Sequence, residues 1–315
     1  MSGRGPARVL AVVVAYRPEP GPLRDLLEAL AAQVDEILVV DNTPGDTGAR
    51  TLARSIDDVA AGIPVATWQM GGNHGIAAAQ NVGIRKALAE GFDYVLLSDQ
   101  DSVPQPGMVD ALVECCVERS AAGPVGCVAP AYHDRSTGQA FAFQVMRPGA
   151  LFYQSLPAHL AVPSAEIVTT ISSGSLIPRS SLESVGDMHE DFFIDHVDTE
   201  WCHRARAAGR RNYGTALARL EHTLGGEPFR VWYGRWRLHS EYPPSRLYYR
   251  FRNFVRMSRL PHVPFRWTVR AAWYWAGNAY AHVLFARRRM ANLRAIVRGL
   301  RDGMMDRGGP APGEP

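Results

Sequence analysis

The sequence is short of the features on which several protein classes depend. Its 315 residues include only four cysteines, with no CxxC pair and no disulfide framework, which predicts a reducing compartment. The apolar run near the N-terminus is broken at Arg17 and Pro18, too early for a signal peptide, so we expect a cytoplasmic protein. No GxGxxG and no Walker loop follow that run, which argues against a dinucleotide or P-loop pocket.

Negative charge is scarce in the C-terminal part. Residues 246–307 hold 14 arginines against Asp302 and Asp306, a net +12, which leaves the rest of the chain at −9 for the total of +3. An acidic body with a basic arm predicts an anionic partner for the arm. We interpret that partner as an anionic membrane surface, since the acidic body would repel the phosphates of a nucleic acid.

The first 130 residues alternate between strand and helix patterns. Five apolar runs predict strands: Arg8–Tyr16, Glu36–Val40, Val65–Met70, Tyr94–Ser98 and Val125–Pro130. Four segments predict helices: Leu23–Leu30, Ala49–Ala60, Gly75–Ala89 and Met108–Arg119. Strands that alternate with helices imply βαβ units, so we predict an α/β fold with a mainly parallel, doubly wound sheet.

After about Tyr132 the alternation breaks. The next region contains a strand pattern at Ile167–Ile177, interrupted by Gly and Ser, and a helix at Asp198–Gly209. We therefore divide the main domain, residues 1–226, into halves of 1–131 and 132–226. Residues 227–307 form a basic, aromatic, helical region, and the Gly/Pro-rich residues 308–315 predict a disordered tail.

The most apolar stretch of the C-terminal region is Ala271–Ala286. It has 16 residues and lies between Arg270 and Arg287–Arg289, whereas a membrane-spanning helix needs about 20 apolar residues. Three interpretations stay open: a buried amphipathic helix, a helix in the membrane interface, and a span.

Polar residues follow each predicted strand of the first half. Ligands of doubly wound sheets bind at the carboxyl ends of the strands, so these residues predict a nucleotide pocket. Asp99 and Asp101 alternate along an extended chain and share a face, which favours a bound Mg²⁺ or Mn²⁺ between or near them. The alternative is a solvated turn in which Asp99 caps the next segment.

A second acidic cluster lies at Asp195, Asp198 and Glu200. Apolar neighbours such as Phe193 and Trp201 would remove water from it, which raises a carboxylate pKa and suits a general base. The alternative is an ordinary acidic helix start. His222 before two glycines and the hydroxyl-rich segment 172–175 are weaker signals, for which a structural histidine and a strand kink are the alternatives.

Taken in order, these segments resemble glycosyltransferase family 2, which has the GT-A fold, and within it the bacterial rhamnosyltransferases. The resemblance covers residues 8–256. It rests on VVVAYRPEPGPL, ILVVDNT, NHGIAAAQNVGI, YVLLSDQDS, ISSGSLI, FFIDHVDTEWCHRARAAG, the His of EHTLGG, and YYRFRN. The DQDS and FIDHVDTEW strings are the most specific.

The resemblance implies roles for individual residues. The donor nucleotide sugar would contact Ala15, Tyr16, Arg17, Asp41, Asn73, Gly75, Asn81, Asp99 and Gln100. A divalent metal, Mg²⁺ or Mn²⁺, would be held by Asp101 and His222, and Asp198 would be the catalytic base. The acceptor would contact Ser173, Gly174, Asp195, Glu200 and Trp201. Residues 1–131 then bind the nucleotide sugar, and residues 132–226 supply the base and the acceptor side.

The implied reaction is inverting transfer of L-rhamnose from dTDP-β-L-rhamnose to a hydroxyl of a glycan or a polyprenyl-diphosphate-linked saccharide. Such transfers build cell-wall or surface polysaccharide on the inner face of the cell membrane, where we expect the chain to bind peripherally. Other donors (UDP-galactofuranose, UDP-glucose, GDP-mannose) and a non-catalytic sugar-nucleotide-binding module are the alternatives, and a homo-oligomer is left open.

Overall fold

The computed structural model describes residues 7–45, 56, 63–134, 140–222 and 228–311. These ranges contain thirteen strands: β1 Val9–Ala15, β2 Glu36–Asp41, β3 Val65–Gln69, β4 Tyr94–Asp99, β5 Ser102–Pro104, β6 Val125–Asp134, β7 Phe143–Val145, β8 Gln154–Leu156, β9 Ala165–Ile167, β10 Leu176–Pro178, β11 Arg211–His222, β12 Pro228–Trp232 and β13 Trp236–Ser240. They also contain eight α-helices: α1 Pro20–Ala31, α2 Gly75–Glu90, α3 Met108–Ser120, α4 Arg179–Val185, α5 Val197–Ala207, α6 Pro244–Met257, α7 Phe265–Leu284 and α8 Arg289–Met304.

Nine of these strands form one central sheet. Its order is β3-β2-β1-β4-β10-β6-β11-β5, with β9 paired to β11. β1 is parallel to β2 and β4, β3 is parallel to β2, and β6 is parallel to β11. β10 runs antiparallel between β4 and β6. The mainly parallel α/β sheet with a mixed second half confirms the predicted fold class.

Strand β1 explains why both faces of the sheet are covered. All seven of its residues are buried, as in a parallel strand with helices on each side. Helix α1 buries four leucines at helical spacing against one face. On the other face α2 comes so close that a Cβ on Gly83 would lie 2.3 Å from a methyl of Val12. Glycine at position 83 therefore allows the helix to pack directly on the strand.

Most predicted elements are present, with two exceptions. All five predicted strands of the first half form, as do the predicted helices that lie within the described residues. The predicted helix Ala49–Ala60 falls outside those residues apart from Ile56. The single strand predicted at Ile167–Ile177 is wrong, because β9 ends at Ile167 and the chain turns at Gly174, with φ +74°, before β10 starts.

The C-terminal region packs against the main domain. Its described part contains the β12–β13 hairpin in addition to the predicted helices. Helices α6 and α8 pack closely, since a Cβ on Gly299 would lie 2.5 Å from the Tyr248 carbonyl. The prediction of a disordered tail is wrong for residues 308–311, because the Ala311 N–H donates to the Tyr249 hydroxyl at 2.7 Å.

The apolar segment of this region lies in helix α7. No helix among the described residues is long and apolar enough to cross a membrane. The helix buries Trp267 and Trp275 and exposes Phe265, Trp273 and Tyr274. It is therefore amphipathic, with large aromatic side chains on its outer face.

Candidate active site

The carboxyl ends of β1, β2 and β4 bring predicted donor-binding residues to one edge of the sheet. The parallel register sets Ala15 beside Asp41 and Val14 beside Asp99. Three residues predicted from separate strand ends therefore lie near one another: Ala15, Asp41 and Asp99. They are at the edge where ligands of such sheets bind.

Gln100 joins the loop after β1 to the loop after β4. The Tyr16 N–H donates to Gln100 Oε1 at 2.7 Å, and Gln100 Nε2 donates to the Tyr16 carbonyl at 3.1 Å. Arg17, which follows Tyr16, has φ +47° and donates its N–H to Thr43 Oγ1 at 2.8 Å. Tyr16 is 39% exposed, and the Arg17 guanidinium lies over its ring at 5.3 Å from the centroid, so the opposite face of the ring is the one on which a nucleobase could stack.

Asp41 has one carboxylate oxygen that is satisfied and one that is not. The residue is fully buried, and its Oδ1 accepts a hydrogen bond from the Thr43 N–H at 2.9 Å. Its Oδ2 has no hydrogen-bond partner among the described residues. Because an unsatisfied buried carboxylate oxygen costs free energy, this atom fits a site where a ligand N–H or hydroxyl completes the bonding.

The start of α2 is tied to the acidic cluster. Asn73 Oδ1 accepts from the Gly75 N–H at 3.2 Å and from Asn42 Nδ2 at 3.1 Å. Gly75 has φ +85°, and a Cβ there would lie 2.5 Å from the carbonyl oxygen of Phe193. The Ile76 N–H donates to the same oxygen at 2.7 Å. Glycine is therefore required at position 75 for the donor side to contact residues 192–196, which we call the acidic loop.

Asn81 is placed differently from the other predicted donor residues. Its amide is fully buried, donates to the Met188 carbonyl at 3.0 Å and to Glu190, and accepts from the Met188 N–H at 2.8 Å. The side chain therefore supports the segment that precedes the acidic loop rather than facing the sheet edge.

Asp99 and Asp101 lie at the end of β4 and in the turn after it. The Asp99 N–H donates to Ser173 Oγ at 3.2 Å, and Ser173 Oγ donates to Ser102 Oγ at 2.7 Å. In the antiparallel pairing of β5 with β11, the backbone of His222 lies opposite Ser102, next in sequence to Asp101. Two carboxylates and a neighbouring histidine position fit a hard divalent cation. Among the described side chains, no three His, Cys, Asp or Glu groups form a metal-binding cluster.

Asp198 is half-buried in the first turn of α5. Its Oδ2 accepts from the Ser172 N–H at 3.2 Å, and its Oδ1 accepts from the Thr199 N–H at 2.6 Å. Because Ser173 bonds to Asp99, two consecutive serines connect the predicted base with the predicted metal site. Burial raises the pKa of Asp198 above its ordinary value, against the hydrogen bonds from Thr199 that lower it. A partly desolvated carboxylate of this kind suits a general base.

The structure places the predicted acceptor residues mostly in the interior. Glu200 is fully buried, with Oε1 at 3.0 Å from Arg204 Nε and 2.8 Å from His262 Nε2. Trp201 is buried and donates its indole N–H to the Gly186 carbonyl at 3.0 Å. Both side chains stabilise α5, so we leave them out of the acceptor site. Glu200 is buried, as its aromatic neighbours predicted, and its partner Arg204 lies one helical turn away, whereas the contact with His262 is not apparent from the local pattern.

Ser173, Gly174 and Asp195 also have structural partners. Ser173 is fully buried, and a Cβ on Gly174 would lie 2.8 Å from Pro130 Cγ, so both residues form the turn itself. Asp195 accepts from Arg246 Nε and Nη2, both at 2.8 Å, and from Arg250 Nε at 3.2 Å. Burial opposes ionisation of Asp195, but the two guanidinium charges hold its pKa below the usual range. Its carboxylate therefore binds the two arginines, and we do not assign it to an acceptor hydroxyl.

Asn253, which has no predicted role in the sequence analysis, holds the acidic loop in place. Phe193, Asp195 and His196 have φ values of +63°, +62° and +65°, which L-residues rarely adopt. Asn253 Nδ2 on α6 donates to the carbonyls of Phe192, Ile194 and Asp195 at 2.7, 2.7 and 3.0 Å. The YYRFRN string contains Asn253 and was the available signal.

Comparison with known proteins agrees with this architecture. The family model described as Glycosyl transferase family 2 matches residues 11–185. The dTDP-rhamnosyl transferase RfbF of Shigella flexneri is 32% identical over 269 residues, which cover 84% of each chain. The galactofuranosyltransferase GlfT1 of Mycobacterium tuberculosis (strain H37Rv) is 30% identical over 258 residues, covering 78% of this chain and 80% of that protein.

Solved structures share the fold at low sequence identity. The crystal structure of GalNAc-T7 with UDP, GalNAc and Mn²⁺ superposes with a TM-score of 0.59 at 12% identity, over 95% of this chain and 56% of that one. The TarS structure of S. aureus gives a TM-score of 0.57 at 14% identity, over 95% of this chain and 49% of that one. The chain therefore spans about half the length of these larger proteins.

Proposed function

The chain belongs to glycosyl transferase family 2, and we propose that it is an inverting, metal-dependent rhamnosyltransferase acting on a glycan or lipid-linked saccharide. The observation that carries the proposal is the position of Asp198, a half-buried carboxylate joined through Ser172 and Ser173 to Asp99. Similarity to a dTDP-rhamnosyl transferase over most of both chains supports dTDP-β-L-rhamnose as the donor.

In the proposed reaction Asp198 accepts the proton of an acceptor hydroxyl. The hydroxyl oxygen forms a bond to the anomeric carbon while the bond from that carbon to the diphosphate oxygen breaks. Such a transition state resembles an oxocarbenium ion, and a single displacement inverts the anomeric centre. A β-linked L-rhamnosyl donor would thus give an α-L-rhamnoside.

Asp101 and His222, with Asp99 beside them, are the residues that would hold Mg²⁺ or Mn²⁺. When bound, such an ion neutralises charge on the departing diphosphate. On the donor side, Asp41 Oδ2 would accept a hydrogen bond from the base or ribose, and the Tyr16 ring would stack on the base. Asn81 would act indirectly, by supporting the loop that follows Met188.

We extend the proposal to the membrane through the aromatic hairpin surface, which comprises Trp232, Arg235, Trp236, Arg237 and Leu238 of the β12–β13 hairpin. All five side chains are exposed. Two bonds fix the hairpin to α7, since the hydroxyls of Tyr233 and Tyr280 donate to the carbonyls of Gly277 and Trp232 at 2.8 and 3.1 Å. Aromatic rings beside arginines suit the interface of an anionic bilayer, where a polyprenyl-linked acceptor would lie.

A thermal-shift panel of nucleotide sugars with and without Mn²⁺ or Mg²⁺ tests the donor and metal assignments. Binding to the folded state raises the melting temperature, so the largest metal-dependent shift is expected with dTDP-rhamnose. A larger shift with UDP-galactofuranose would support the donor of the GlfT1 relative and overturn the rhamnosyl assignment. No shift with any nucleotide sugar would contradict both the proposed function and the alternative of a sugar-nucleotide-binding module.

A further inference from the structure

Two arginines of α6 meet one carboxylate beside the proposed active site. Arg246 donates to both oxygens of Asp195 at 2.8 Å, and Arg250 adds a third contact at 3.2 Å. The three side chains together carry a net charge of +1. An excess cation at a site that must accept a nucleoside diphosphate is a candidate for binding phosphate oxygens.

Only one of the two guanidinium groups is accessible. The Arg250 side chain is 14% exposed and packs over the Tyr242 ring, with its Cζ 3.6 Å from the ring centroid. The Arg246 side chain is 38% exposed, although its partner Asp195 is only 11% exposed. The contacts with Asp195 use one N–H on Nε and one on Nη2, and a guanidinium has five N–H donors. Arg246 therefore has N–H groups and exposed surface for a second anion.

The accessible guanidinium is bound to the loop that leads to the proposed base. Asp195 lies three residues before Asp198 on the loop that contacts the start of α2 through the Phe193 carbonyl. Burial opposes the charge on Arg246, but Asp195 and, more weakly, Asp99 raise its pKa, so the field of Asp99 reaches this guanidinium. Arg246 also lies in the first turn of α6, which contains no acidic residue and has the positive end of the helix dipole.

We propose that Arg246 is a diphosphate-binding residue of this active site, oriented by its bidentate contact with Asp195. The inference deepens the proposed function and rests on it. The diphosphate is that of the nucleotide sugar or that of a polyprenyl-diphosphate acceptor, since both present the same oxygens to a guanidinium. Asp195 then acts as a positioning residue, which holds the guanidinium so that little side-chain freedom is lost on binding.

The test compares Arg246→Gln with Arg85→Gln. Arg85 is a matched control, because its exposed guanidinium also makes two ion pairs, with Asp187 and Glu190, outside the proposed site. Isothermal titration calorimetry with Mn²⁺ present measures the Kd of TDP, UDP, thymidine and farnesyl diphosphate for each variant. We expect Arg246→Gln to weaken a diphosphate ligand about 10- to 100-fold and to leave thymidine unchanged. Arg85→Gln should bind all ligands as the wild type does.

The outcomes distinguish the donor diphosphate from the acceptor diphosphate, and they test the role of Arg246 separately from the proposed function. Weaker TDP binding alone assigns the guanidinium to the donor, and weaker farnesyl diphosphate binding alone assigns it to the acceptor. Unchanged binding of both ligands by a folded Arg246→Gln variant overturns this inference while leaving the glycosyltransferase proposal intact. Failure of the wild type to bind any nucleoside diphosphate would instead overturn the proposed function. Asp195→Asn should reproduce part of the loss, because it frees the guanidinium without removing it.

Discussion

Replacing Asn253 by alanine should disable the acidic loop without unfolding the chain. The Asn253 amide donates to three loop carbonyls, and its two N–H groups correspond to about two full hydrogen bonds. Each buried carbonyl left without a donor costs about 1–3 kcal/mol, so the loss of two hydrogen bonds costs the loop roughly 2–6 kcal/mol. The three residues with positive φ favour other conformations by about 1–3 kcal/mol each and would no longer be restrained.

The expected consequence is a lower kcat together with a shifted pH profile. Since each 1.4 kcal/mol is a factor of ten, kcat should fall by at least about 30-fold, and by about 10⁴-fold at the upper end of that range. The base must be ionised to act, so the rate of the wild type rises with pH through the raised pKa of Asp198. A released loop would hydrate this carboxylate and return its pKa toward the ordinary value. The acid limb of the Asn253→Ala profile should therefore move to lower pH.

Initial rates across pH and thermal melts of the same preparations check both statements. Asn292→Ala is the matched control, because Asn292 is also buried and donates to one carbonyl, that of His282, at 3.1 Å. It should lower the melting temperature and leave the acid limb in place. A folded Asn253→Ala enzyme with wild-type kcat and an unmoved acid limb would refute the reasoning.

Two further changes test the base and the membrane surface. Asp198→Asn should lower turnover by about 10²- to 10⁴-fold with little change in the calorimetric Kd of TDP, and normal turnover would contradict its role as base. Sedimentation with anionic vesicles should retain the wild type at low salt and release Trp236→Ser/Leu238→Ser, while the exposed-site control Leu160→Ser stays bound. Equal sedimentation of the two variants would contradict docking through the aromatic hairpin surface. Point variants are used because a deletion of the C-terminal region would also remove the packing of α8 on α6.

The sheet and its ligand edge could be predicted because their signals are local. A strand buried on both faces must be continuously apolar, and the seven residues of β1 meet that condition. Parallel strands end at the same edge, so Asp41 and Asp99 were expected to lie near each other before any register was known. Periodicity alone therefore places these polar residues at one edge of the sheet.

The acceptor side could not be predicted in the same way. A carboxylate in an apolar string is either exposed into a site or neutralised by a distant cation, and the two cases look alike in sequence. Glu200 is neutralised by Arg204 one helical turn away and contacts His262 far along the chain. Asp195 depends on Arg246, which is 51 residues later. For Asp195 the packing of α6 against the loop makes the difference from Asp198, and for Glu200 the contacts with Arg204 and His262 make it.

The same packing explains how the C-terminal region supports the proposed active site. Positive φ at Phe193, Asp195 and His196 is unfavourable for the isolated segment, so local sequence gives no reason for the loop to adopt this shape. The shape persists because Asn253 bonds its carbonyls and Arg246 pairs with its carboxylate. Both residues lie beyond residue 185, where the family match ends. Helix α6 therefore supports the loop that leads to the proposed base, Asp198, which also lies beyond the matched region.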